Sequence, residues 1–161
     1  METSDAIYFY SETNKFGYMS NFYKCKFTDG DLTFNCSEQY FMYQKCLMFD
    51  KDNVELLKKI MAETSPTNVK RYGRSVKNYN EAKWNECRYN VMLNGLKLKF
   101  EQNKDIMDSL KATKNKKLYE ASKYDKIWGI GYYANEAVKV DVSNYGTNLL
   151  GKALEELRAI N

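Results

Sequence analysis

The spacing of hydrophobic and polar positions changes along the chain, and each change marks an element. AIYFYS (6–11) is a short aromatic run, and CKFTDGDLTFNC (25–36) alternates about Asp29-Gly30, a pattern that predicts strands joined by a hairpin. Beyond residue 36 the period lengthens. SEQYFMYQKCLMF predicts a helix over Glu38 to Phe49, with Ser37 as its N-cap because a short side-chain oxygen can accept from the first free amides. Val54, Leu57, Ile60 and Met61 stand at amphipathic spacing in a second helix over Asp52 to Glu63. Ser65-Pro66 is a cap-then-proline start for a short helix toward Tyr72, which KRYGR closes, and Asn80 is placed to cap the longest helix, Glu81 to Gln102. A helix at Asp105 to Ala112, a strand at KLYEAS (117–122) and a glycine-punctuated WGIG turn follow. In the last helix Leu149, Leu150, Ala153, Leu154 and Leu157 form one apolar stripe, with Lys152, Glu155, Glu156 and Arg158 mostly outside it. The pattern predicts a mainly helical α+β fold with a small N-terminal β element. Without repeats or linkers, it predicts a single domain over 1–161.

Composition changes this picture chiefly by what it lacks. The 161 residues contain no histidine, the commonest acid/base residue and metal ligand. Serine and cysteine triads, HExxH zinc sites and histidine phospho-carriers are therefore excluded, unless a partner supplies the imidazole, and proton transfer falls to Asp, Glu, Lys, Tyr or Cys. Cys25, Cys36, Cys46 and Cys87 form no CxxC pair and read as reduced, buried thiols. No leader pattern or bilayer-length apolar run is present, so the expected compartment is the cytosol and no membrane partner is expected. The net charge is only +4. The lysines concentrated between Lys97 and Lys126 suit phosphates, but they also suit an ordinary solvated face.

Four segments hold residue types that packing alone does not require. Glu38, Phe41 and Lys45 fall at i, i+3 and i+7, so a carboxylate and an ammonium can share one helix face; alternatively, Glu38 answers the helix dipole and Lys45 is solvated. KRYGR (70–74) is the second of these segments. Trp84, Arg88, Met92 and Leu96 repeat every fourth residue, a stripe that reads as core; its alternative is Trp84 stacking on a base while Arg88 holds a phosphate or carboxylate. In YEASKYDKIWGIG, Glu120, Asp125, Trp128 and Gly129 form either a pocket lip or a turn with surface acids. GTNLLG places Asn148 at a helix start, where an anion or an ordinary cap explains the same letters.

Taken in order, FYSE, YMSNF, CSEQYFMYQK, GR, KW, LKLKFEQN, LKAT, YEASKYDKIWGIG and GTNLLGKALEELR resemble the YbiA-like, or NADAR, family from Tyr8 to Arg158. The resemblance implies a pocket for nucleotide-like or ADP-ribose-like molecules and N-glycosidase chemistry on ribose-to-base bonds. The substrates implied are phosphoribosylated or ADP-ribosylated molecules. It places the family's functional positions on Glu38, Lys45, Arg74, Trp84, Glu120, Asp125, Trp128, Gly129 and Asn148. YYANEAVKVDVSNY (132–145) lacks the prolines of many relatives, which leaves the substrate rim open. On this basis Glu38 orients and deprotonates water or stabilises a cationic ribose, and Asp125 assists at the ribose or leaving group, or the two exchange roles. Trp84 and Trp128 hold the base or the ribose, and Lys45, Arg74 and Arg88 hold phosphate. No metal or other cofactor is called for: carboxylates cleave glycosides alone. Two rivals remain: a non-catalytic ADP-ribose or NAD-metabolite binding module, and a glycohydrolase that removes ADP-ribose from guanine in nucleic acid.

Overall fold

The computed structural model describes residues 1–161, which divide into two compact units: Met1–Ser20 with Lys104–Asn161, and Asn21–Asn103. The elements are β1 (Ala6–Phe9), β2 (Phe27–Asp29), β3 (Leu32–Phe34), α1 (Ser37–Phe49), α2 (Val54–Ala62), α3 (Pro66–Gly73), α4 (Glu81–Glu101), α5 (Lys104–Ala112), β4 (Lys117–Glu120), α6 (Ala134–Ala137) and α7 (Leu149–Ala159). This is the mainly helical α+β class that the pattern predicts. No helix is long and apolar enough to cross a membrane.

In the first unit β1 and β4 pair in parallel, from Ala6↔Lys117 to Phe9↔Glu120. All four β1 residues are buried, which is why the run reads as continuously apolar rather than alternating. The strand late in the chain means that the β element is not confined to the N-terminal third. Ala6, Tyr8, Ala121, Ile130 and Ala137 form a core that Tyr119, Tyr132 and Tyr145 complete. The Tyr145 hydroxyl donates to the Ala137 carbonyl at 2.8 Å and lies 3.1 Å from the Tyr8 hydroxyl. Several of the chain's tyrosines thus serve packing. Helix α7 holds β4 in place: Glu155 Oε1 accepts from the Leu118 amide at 2.9 Å, and Arg158 donates to Thr113 Oγ1 at 2.7 Å and to the Lys116 carbonyl at 2.9 Å.

In the second unit β2 and β3 form the predicted hairpin, in the register Phe27↔Phe34 to Asp29↔Leu32. The stacked Phe27 and Phe34 rings pack with Tyr40 of α1. Helix α1 is buried along much of its first two turns, so its sequence lacks a clean amphipathic stripe. Gly73 allows α1 and α3 to approach, because a side chain there would collide with the Met42 sulfur. Asn53, Ser65 and Asn80 cap α2, α3 and α4 through their side chains. Ser37 does not cap α1. Cys36 occupies the N-cap, while the Ser37 hydroxyl, already within the helix, donates to Asn21 Oδ1 at 3.0 Å. Its environment, a polar residue in the preceding loop, diverts the oxygen that local preference assigns to the cap.

Candidate functional site

The first turn of α1 presents Glu38, which is buried at 7% exposure. Its amide donates to the Asn21 carbonyl at 3.0 Å, so YMSNF fixes where this helix begins. The neighbouring Gln39 locks the same turn: its Oε1 accepts from the Asn35 amide at 2.8 Å, and its Nε2 donates to the Ile60 carbonyl at 2.9 Å. Two turns further along, the Lys45 ammonium donates to the Gly73 carbonyl at 2.9 Å and lies 4.7 Å from the centre of the Tyr79 ring. Lys45 is thus half-buried and held in place, not a solvated tail. Desolvation holds its pKa below the usual lysine value; the charge of Arg74 pushes the same way, and that of Glu38 opposes both. Glu38, Lys45 and Arg74 therefore form one electrostatic group, with Arg74 exposed at the end of α3.

Two other residues of this unit sit differently. Trp84 is 5% exposed and packs against Phe41 and Phe49, with ring centroids 4.9 and 6.1 Å away. With so little surface left it is a core residue, as the four-residue stripe indicates, and stacking a base on it would require the core to open. Arg88 is half-exposed and donates to Asn85 Oδ1 at 2.8 Å, within its own helix.

The remaining candidates belong to the first unit and form a continuous strand-and-turn assembly. Asp125 Oδ1 accepts from the amides of Ile127 and Trp128, both at 2.9 Å, the arrangement expected of an aspartate organising a tight turn. Trp128 is half-buried on that turn, and its carbonyl accepts from the Leu150 amide at 3.2 Å. Gly129 is required for close backbone approach, since a Cβ there would stand 2.9 Å from the carbonyl oxygens of both Asp125 and Glu120. Asn148, in left-handed backbone at φ 55°, bridges back to β4. Its Oδ1 accepts from the Glu120 amide at 3.0 Å, and its Nδ2 donates to the Leu118 carbonyl at 2.8 Å. It does not cap α7 with its side chain. Glu120 ends β4 half-buried, its carbonyl accepting from the Ile130 amide at 2.9 Å.

Sequence reasoning missed Asn21 and Gln39 as the anchors of α1, although both lie inside segments that carry the family likeness. It also missed Lys99, read as part of a solvated lysine face, which is fully buried on α4. Nor are all the cysteines buried: Cys36 and Cys46 are, whereas Cys25 and Cys87 are half-exposed. No group of histidine, cysteine, aspartate and glutamate side chains suited to a metal ion occurs.

The profile of the NADAR domain matches residues 8–160. N-glycosidase R617 of Acanthamoeba polyphaga mimivirus is 41% identical over 126 residues, covering 78% of this chain and 73% of that protein. Riboflavin biosynthesis protein VVA0006 of Vibrio vulnificus is 30% identical over 152 residues; the match spans 94% of this chain but 37% of the longer Vibrio protein. N-glycosidase YbiA of Escherichia coli is 32% identical over 152 residues, 94% of this chain and 86% of YbiA. The NMR structure of E. coli YbiA superposes with a TM-score of 0.78 at 30% identity, over 99% of this chain and 86% of that one. With the profile spanning nearly every element and the fold shared, the chain belongs to the NADAR family.

Proposed function

We propose that this chain is an N-glycosidase that hydrolyses the bond between ribose and a nitrogenous base in a phosphoribosylated or ADP-ribosylated small molecule. The names of the mimiviral and E. coli relatives support the reaction class. The observation that carries the reading at residue level is the grouping on α1 and α3: a buried carboxylate, Glu38, in electrostatic contact with a desolvated ammonium, Lys45, beside the exposed guanidinium of Arg74.

As the base departs, positive charge develops on the ribose, and a carboxylate in a poorly hydrated setting stabilises that charge more strongly than water does. Glu38 takes this role and accepts a proton from the attacking water. Lys45 and Arg74 engage phosphate oxygens, Arg74 through the fork of its guanidinium. Within the first unit, Asp125 shapes the turn that presents Trp128, whose ring stacks on the base, while Asn148 acts at one remove by pinning β4. Arg88 is a further phosphate ligand once it leaves Asn85. The likeness to a riboflavin-pathway protein favours a phosphoribosylated pyrimidine over a nucleic-acid substrate, and the modest net charge points the same way.

The test is a panel of phosphoribosylated aminopyrimidines, NAD, ADP-ribose adducts and ADP-ribosylated guanine oligonucleotides, assayed in a strong chelator and scored for released base. Release from a free nucleotide, unaffected by chelation, supports the proposal. Binding without release would identify a sensor, and release from the oligonucleotide alone would move the substrate to nucleic acid.

A further inference from the structure

Away from the α1 charge group, the second unit collects two thiols and an amine beneath its hairpin. The β2–β3 register runs back toward Cys25 and Cys36, and the Cys25 amide still donates to the Asn35 carbonyl at 3.0 Å. That bond sets Cys25 opposite Asn35, the residue before Cys36, so the two cysteines flank the open end of the ladder just beyond the stacked Phe27–Phe34 pair, against which Cys25 packs. Lys99 of α4 is fully buried nearby, 5.5 Å from the centre of the Tyr23 ring, and its charge interacts with both sulfur atoms. Cys25 lines an open cleft of about 420 Å³ with Lys24, Lys26, Thr33, Phe34 and Asn35. Cys36 is sealed from solvent at the N-cap of α1. Both are reduced.

We propose that Cys25 and Cys36 form a redox-modifiable dithiol, which small disulfides such as oxidised glutathione convert to an intramolecular disulfide with Lys99 supplying the counter-charge for the thiolates. The half-exposed Cys25 thiolate attacks one sulfur of the reagent, forming a mixed disulfide and releasing one glutathione thiolate. The Cys36 thiolate then attacks the Cys25 sulfur, closes the protein disulfide and releases the second. The two cysteine protons finish on the two glutathione thiols, and the two electrons lost by the protein reduce the reagent. Order follows from access. Burial pushes the Cys36 thiol up to about 11, while the Gln39 amide at the start of α1 and the charges of Lys24 and Lys99 pull it back, so Cys36 resolves rather than initiates. Lys99 has its own pKa lowered to about 8 by burial, with the two sulfurs opposing the shift. The other two thiols are placed elsewhere, Cys46 within α1 and Cys87 beside the Met48 sulfur at 3.6 Å.

Folded protein is incubated with oxidised glutathione, quenched with an alkylating reagent in denaturant so that buried thiols are also labelled, and mapped by peptide mass spectrometry. The expected result is loss of two alkylatable thiols and a Cys25–Cys36 cross-linked peptide without retained glutathione. Cys36→Ser should stop at the glutathione adduct on Cys25, and Cys25→Ser should leave Cys36 alkylatable. A stable adduct on Cys25 of the unsubstituted protein, a bond involving Cys46 or Cys87, or unchanged thiol content would overturn the proposal. Should either variant fail to fold, the map of the unsubstituted protein decides alone.

Discussion

In the second unit, Glu38 and Lys45 are buried and half-buried charges on one helix, and the Lys45 ammonium feels burial first, then the charges of Glu38 and Arg74. In the first, Asp125, Asn148 and Glu155 point their oxygens at backbone amides and hold a strand and a turn in shape. Both sets lie in segments that mark the family. Shared motifs therefore hold two arrangements, charges gathered on one helix and polar side chains used as internal fasteners, and substitution should separate their roles by which observable moves.

The largest effect is expected at Glu38→Gln, which keeps the shape and removes the charge and basicity. Single-turnover release of base should fall by roughly 10²-fold or more, with substrate affinity and melting temperature moving little. A near-normal rate would reduce Glu38 to a helix-dipole partner worth about 0.3–1 kcal/mol. Asn148→Ala should do the reverse. It strands the Glu120 amide and the Leu118 carbonyl and leaves alanine in left-handed backbone, so denaturant titration should show a loss of about 2–4 kcal/mol. The rate per folded molecule should stay within a few-fold; a collapse of turnover with intact stability would place Asn148 at the substrate.

How far the sequence was legible follows the same division. Helix positions, the hairpin and two of the caps were readable because they depend on local signals: apolar spacing, Asp29-Gly30, Ser65-Pro66 and Asn80. The parallel pairing of β1 with β4 was not, since nothing near residue 6 specifies a partner near residue 117. Trp84 was readable as core from its stripe. Lys99 was not, because a single buried lysine among exposed ones has the same letter as its neighbours. At the candidate site, residue types and the grouping of Glu38 with Lys45 on one helix face were legible. That Asn148 is engaged with β4 required the strand to be in place first.

Trp128→Ala tests the half-buried aromatic of the first unit's turn. Substrate binding should weaken by about 1–3 kcal/mol, read by calorimetry, with a small fall in melting temperature. Unfolding of the variant would make Trp128 a packing residue, like Trp84.

A further effect concerns pH. Lys99 has a folded pKa of about 8 against an ordinary 10.5. Below about 8 both folded and unfolded chains hold the proton, and the folded chain bears the full desolvation cost. Between about 8 and 10.5 the folded chain has released the proton that the unfolded chain keeps, so this group makes stability rise with pH across that window. Lys99→Met should remove that rise, seen as a difference between the two denaturation-versus-pH curves; parallel curves would mean that Lys99 titrates normally.

The first unit is assembled from the two ends of the chain, with residues 21–103 passing between them. On the ribosome the second unit is a contiguous stretch that can begin folding as soon as it emerges, whereas β1 must wait for β4, more than a hundred residues later. Closing so long a loop is entropically slow. The exposed backbone edge of β1 is therefore the stretch most in need of protection during synthesis, and pulse-labelled hydrogen exchange during refolding should find its amides among the last to be shielded.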